Sequence, residues 1–200
     1  DDVAFNDTIE KYCNFQDEGL RVYRFLEAAN FVGAEHPAIL ATIYNLKRHD
    51  ATMTTSLHFF AQWLGKTWFC SKPKAIRFET SMFTPVQKQR CVDGYNILSS
   101  YVWAMYDAGI PLTMGTDHRD GGKAVLTEML LLNEIGIPME NVFQIATINT
   151  AIAIGMQGKY GSIEPGKNAN LILFEESPLM NPKNILNKKT IIKDGVCQTF

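Results

Sequence analysis

In the stretch AGIPLTMGTDHRDGG, residues 108–122, an apolar run gives out at Gly115, Thr116 and Asp117, and charges and glycines follow at once. A carboxylate where a buried strand ends is poorly placed for packing and well placed for chemistry. When ionised it carries several lone pairs, enough to be shared between a cation and the proton of a water molecule. Imidazole is the other side chain that such chemistry uses, and the chain has four histidines: His36, His49, His58 and His118. His118 adjoins Asp117 and either lines a pocket with it or belongs to a surface loop. His58 follows the threonine-rich ATMTTSL at 51–57 and could face the same pocket, as could the hydroxyls of Thr54, Thr55 and Ser56. His49, after Lys47 and Arg48, reads as a surface residue that compensates a helix dipole. Arg119 and Asp120 could hold a charged substrate end or form a solvated pair. Asp117 as a helix N-cap is awkward, because the next helical pattern begins only near residue 123.

Other chemistries find less support. Gly121-Gly122-Lys123 precedes a helix but lacks the full pattern of a phosphate-binding loop. Cys13, Cys70, Cys91 and Cys197 are scattered without a CxxC pair, which indicates neither a zinc ribbon nor a disulfide framework, and they read as small buried hydrophobes. The formal net charge is -2 with 46% hydrophobic residues, the balance of an ordinary globular protein. No basic excess points to nucleic acid or to an anionic membrane. The apolar runs fall well short of the roughly 20 residues that span a bilayer, and no signal-peptide pattern stands at the start. The expectation is a cytoplasmic protein.

The elements that must position these residues alternate between helix and strand. Residues 18–29 have helical spacing with Asn30 as a cap, and FVGA at 31–34 reads as a short strand. Pro37 opens a helix, PAILATIYNLKRHD, that ends in cations. ATMTTSL is a strand, and 64–84 is a loop. A long helix over 86–108 stops at Gly109, IPLTMG is the next strand, and helices follow over 123–135 and 140–155. The stripe Leu126, Met129, Leu130 and Leu132 reads as core, and Trp63, Trp68 and Trp103 as packing residues. This rhythm predicts parallel strands in an α/β architecture. The tail differs: Pro165-Gly166 and Asp194-Gly195 are turn dipeptides between short antiparallel strands.

Three pieces in order, AGIPLTMGTD, TEMLLLNEIGIPMENVFQIATINTAIAIGM, and GSIEPGKNANLILFEESPLMNPKNI closing with IIKDGV, resemble the metal-dependent amidohydrolase superfamily. The likeness is to its imidazolonepropionase-like and prolidase-like branch. It implies a (β/α)8 TIM-type barrel with a small composite β-sandwich and an active site at the C-terminal ends of the strands. The chain then supplies the C-terminal half of the barrel, strands five to eight, over residues 1–156, and C-terminal strands of the sandwich over 157–200. By the same resemblance PLTMGTD is strand eight, and Asp117 is a metal ligand that takes a proton from the attacking water. FLEAANFVGAEH, residues 25–36, resembles the approach to the strand-six histidine, which makes His36 a second ligand candidate. A helix-start residue satisfied by backbone groups is the alternative for His36. Gln16 falls where the family has its strand-five histidine, and an amide oxygen is a poor transition-metal ligand.

The HxH pair that the family carries on strand one occurs nowhere in the chain. The resemblance therefore implies a fragment of a hydrolase that acts on a carbon–nitrogen bond, other than an ordinary peptide bond, in a small molecule. The cofactor would be a divalent metal, Zn2+ first. The partners would be a small-molecule substrate and a missing N-terminal half or complementary chain, with a homo-oligomer among the expected assemblies. A degenerate, non-catalytic relative with a scaffold or regulatory role is the competing expectation.

Overall fold

The computed structural model describes residues 18–66 and 84–198. Gln16, Cys13, Cys70 and Trp68 lie outside that range, as does most of the expected loop over 64–84. Helix α1 (Glu18–Val32) is followed by α2 (Pro37–Arg48), strand β1 (Met53–Thr54) and a short helix α3 (Leu57–Ala61) that tightens into a 3-10 turn over Gln62–Leu64. The long helix α4 (Pro85–Asp107) then leads to strand β2 (Leu112–Thr113).

β1 and β2 pair in parallel, Met53 opposite Leu112 and Thr54 opposite Thr113. α3 and α4 form the crossover between them, as parallel pairing requires. The Thr54 and Thr113 hydroxyls meet at 3.0 Å across the pair. Both strands are much shorter than the sequence suggests. Past β1, Leu57 turns into α3, and side chains bond the backbone of β2 and of Met114, the residue that follows it. Asn149 Nδ2 donates to the Leu112 carbonyl at 3.2 Å, and the Met114 N–H donates to Thr150 Oγ1, also at 3.2 Å.

Helix α4 is set by its ends. Thr84 and Gln87 form a reciprocal capping box with Pro85 in the first turn, and Gly109 closes the helix with φ +79°. This is the proline-start and glycine-stop asymmetry. It packs on α1, whose Val22, Tyr23, Leu26 and Ala29 are buried, at four-residue spacing in large part. The approach is close enough that a Cβ on Gly94 would stand 1.8 Å from the Leu26 carbonyl oxygen.

The expected strand FVGA is not formed. α1 continues through Val32 and is stopped by Gly33, at φ +78°, whose N–H bonds back to the Ala29 carbonyl. α2 begins at Pro37 as expected and ends in Lys47 and Arg48, but none of its residues is buried.

Helix α5 (Gly121–Glu134) buries Ala124 and Thr127 to Leu132, including Glu128. The expected helix over 140–155 is interrupted: α6 (Met139–Gln144) and α7 (Thr150–Ala153) flank a π-helical turn at Ile145–Asn149. That wider turn carries Asn149 and presents Thr150 to β2. Strands β3 (Leu171–Phe174), β4 (Lys189–Lys193) and β5 (Val196–Gln198) form an antiparallel sheet, with Asp194 and Gly195 both at positive φ in the two-residue turn. This is the backbone a type I′ hairpin needs.

One core ties these elements together. Leu26, Leu57, Leu112, Leu131, Leu132, Ile137, Val142 and Ile185 are all fully buried, and Phe174 packs edge-on against Phe143. Of the two described cysteines, Cys91 is buried and Cys197 is exposed, so the expectation of burial fails for Cys197. Cys197 sits in β5, where the sheet presents it to solvent. Trp103 is likewise partly exposed, whereas Trp63 packs on the core. No helix among the described residues is long and apolar enough to cross a membrane.

Candidate active site

β2 ends at Thr113, and the chain beyond it is steered by close packing. A Cβ on Gly115 would lie 2.5 Å from both the Thr55 carbonyl oxygen and Thr54 Cγ2. Only glycine lets the segment after β2 run this near the segment after β1. Two residues later Asp117 adopts φ +48°, in the left-handed region, and is exposed. Aspartate and asparagine tolerate that conformation better than other non-glycine residues. The turn aims an acidic side chain to solvent just beyond the strand end.

His118 folds back on its own loop, its Nδ1 accepting the Asp120 N–H at 3.0 Å. Its ring meets that of His58 edge-on, with centroids 5.0 Å apart. His58 is fully buried. Burial, and then the neighbouring His118, lowers its pKa from the ordinary histidine range to about 4. At neutral pH it is an uncharged imidazole packed against His118, which is half-buried.

Glu128 makes no appearance among the expected site residues, yet it organises this region. Its Oε1 accepts the Leu57 N–H at 3.0 Å and its Oε2 the His58 N–H at 2.6 Å. A single carboxylate thereby satisfies two N-terminal N–H groups of α3, the role an N-cap side chain ordinarily plays, since Ser56 makes no capping bond. Burial raises its pKa to about 7, against the pull of the two backbone donors. The available signal was an acid inside the apolar run of α5, but its partners stand 70 and 71 residues away.

His36 stands between α1 and α2 and not at a strand end. Its Nδ1 accepts the Ala38 N–H at 3.2 Å, making it the side-chain cap of α2. Arg119 and Asp120 are exposed. The structure thus brings His58 and His118 together, one residue from Asp117. Among the described residues no group of three or more His, Cys, Asp or Glu side chains could hold a metal ion. Asp117 offers a carboxylate of the kind that can bind a divalent ion, and the described residues place no second and third donor beside it. A cleft of about 320 Å³ lined in part by Lys66, Tyr95, Trp103 and Glu134 includes none of these residues.

Comparison with known proteins places these features. The chain is 40% identical over 76 residues to the imidazolonepropionase of Shouchella clausii, covering 36% of this chain and 17% of that protein. It is 32% identical over 98 residues to the imidazolonepropionase of Geobacillus kaustophilus, covering 46% and 23%. The fold is similar to that of a Xaa-Pro dipeptidase crystallised with methionine in its active site, with a TM-score of 0.57 and 19% identity. That match covers 94% of this chain and 50% of the dipeptidase. The segments matched in the imidazolonepropionases are thus about a fifth of their length, and the dipeptidase is matched over half of its own. Residues 99–198, which contain β2, Asp117, Glu128 and the C-terminal sheet, match the amidohydrolase family, and the chain belongs to that family.

Proposed function

We propose that this chain carries the C-terminal half of a TIM-type barrel, with part of a small β-sandwich, from a metal-dependent amidohydrolase. The enzyme hydrolyses a carbon–nitrogen bond of a small amide or cyclic amide. The observation that carries this reading is Asp117 itself: an exposed carboxylate in a left-handed turn just past the parallel strand β2, within the segment that matches the family. Loops after parallel strands are where a barrel places its chemistry.

In the reaction, water adds to the carbonyl carbon, the carbon–nitrogen bond breaks, and the leaving nitrogen takes up a proton. Asp117 accepts the proton of the attacking water, which its position in solvent and its several lone pairs allow. A divalent ion such as Zn2+ supplies a water acidified toward a pKa of about 7 when it is bound. Asp117 would be one of its ligands, with the remaining donors supplied from outside the described residues. His118, braced by His58, faces the substrate. The part of the fold that the matched dipeptidase has and this chain does not span completes the site.

A second reading has one observation in its favour: the described residues hold no three-donor cluster. On that reading the chain is a non-catalytic relative. The two are separated by assaying the complete assembled protein with Xaa-Pro dipeptides and with hydantoin, a five-membered cyclic amide. Hydrolysis of either probe that drops about 100-fold or more in Asp117→Asn, the range by which a lost acid–base group slows a reaction, supports the enzyme. Equal rates in the wild type and the variant would overturn the assignment of Asp117.

A further inference from the structure

We propose that Glu128 is a positioning residue of this site: its two carboxylate oxygens hold the first turn of α3 and thereby fix the His58 ring against His118, beside Asp117. The inference rests on the reading of the Asp117 loop as the active site. Three observations carry it. Glu128 is a fully buried acid in the middle of α5, and both of its oxygens are engaged by successive backbone N–H groups, those of Leu57 and His58. The second of those N–H groups belongs to the residue whose ring touches His118. Finally, α3 has no capping bond from Ser56, so nothing local does what Glu128 does from α5.

The energetics favour a specific role over general packing. An acid in a buried position costs several kcal/mol in desolvation unless it is well bonded. An apolar residue at position 128 would fill the same space without that cost, as Met129 to Leu132 do beside it. What the carboxylate adds is direction. Two parallel N–H donors on two fixed oxygens set the rotation of a five-residue helix that is too short to set itself. With α3 so held, His58 has one place to stand, and it stands behind His118.

The test is made on the complete protein by NMR of the histidine rings, comparing the wild type with Glu128→Gln and Glu128→Asp. In the wild type a cross-peak between ring protons of His58 and His118 is expected. In both variants loss of that cross-peak and a shift of the His58 ring signals are expected, with the signals of His36 and His49 unchanged. An intact cross-peak and unshifted His58 signals in a folded variant would overturn the proposal. Global unfolding of both variants would overturn it as well, because Glu128 would then be holding the fold and not one ring. If Glu128→Gln alone does not fold, Glu128→Asp, which keeps the charge on a shorter stem, decides. Undiminished hydrolysis by Asp117→Asn in the same protein would instead overturn the active-site reading and leave the ring result standing.

Discussion

At the scale of residues, packing dictates the glycine at 115. Gly115 has no room for a side chain, because a Cβ there would sit 2.5 Å from a backbone oxygen. Gly115→Ala is expected to destabilise the protein by about 1–3 kcal/mol, the cost of overpacking a rigid contact, measured by chemical denaturation. Glu128 and His58 make opposing contributions to the pH dependence of stability. The raised pKa of Glu128, about 7 against an ordinary 4.5, means that its contribution is full below about pH 4.5 and is lost as pH rises through 7. The lowered pKa of His58, about 4 against 6.5, means the reverse: its contribution is present above 6.5 and is lost as pH falls through 4. The two slopes oppose each other between about pH 4.5 and 6.5. Glu128→Gln removes one of them, so its Tm should climb more steeply with pH across that window than the wild-type Tm. Parallel curves for the two proteins would show that Glu128 keeps its ordinary pKa in the fold.

At the scale of elements, side chains bond the edge of the β2 segment that faces away from β1. Thr150 accepts from Met114 N–H and donates to the Ile145 carbonyl, while Asn149 donates to Leu112. Thr150→Val keeps the shape and deletes the hydroxyl, and about 1–3 kcal/mol of stability should go with it, since the Met114 N–H loses its acceptor. A variant as stable as the wild type by thermal unfolding would show that the bond contributes nothing. The same elements show what the sequence made legible. The start of α2 at Pro37, the stop of α4 at Gly109 and the turn at Asp194-Gly195 follow from local chemistry, and each stands where proline or glycine dictates. FVGA failed as a strand because Val32 extends α1 and Gly33 only ends it; a strand needs a partner, and periodicity cannot supply one. The π turn at Ile145–Asn149 and the Glu128 cap of α3 were not legible, because both depend on neighbours brought near only by folding. His36 read in sequence either as a ligand or as a helix-start residue satisfied by backbone groups, and its Nδ1 accepts the Ala38 N–H at the start of α2.

At the scale of the whole molecule, apolar side chains are left exposed on α2 and β3. α2 has no buried residue and exposes Leu40 and Tyr44, while neighbours Ile172 and Leu173 on β3 are 50% and 55% exposed, on opposite faces of the sheet. The parallel sheet has only β1 and β2 among the described residues, and sheet edges invite pairing. The chain expressed by itself should therefore associate, with a sedimentation coefficient that rises with concentration. A concentration-independent monomer with one cooperative unfolding transition would contradict the half-barrel reading. The central claim, that Asp117 is a ligand in a metal-dependent hydrolytic site, is tested most directly by metal content. The complete protein is purified as wild type and as Asp117→Ala, dialysed alike, and measured by elemental analysis. The account predicts a stoichiometric divalent metal, zinc first, in the wild type and its marked loss in the variant; equal stoichiometric metal in both would contradict it.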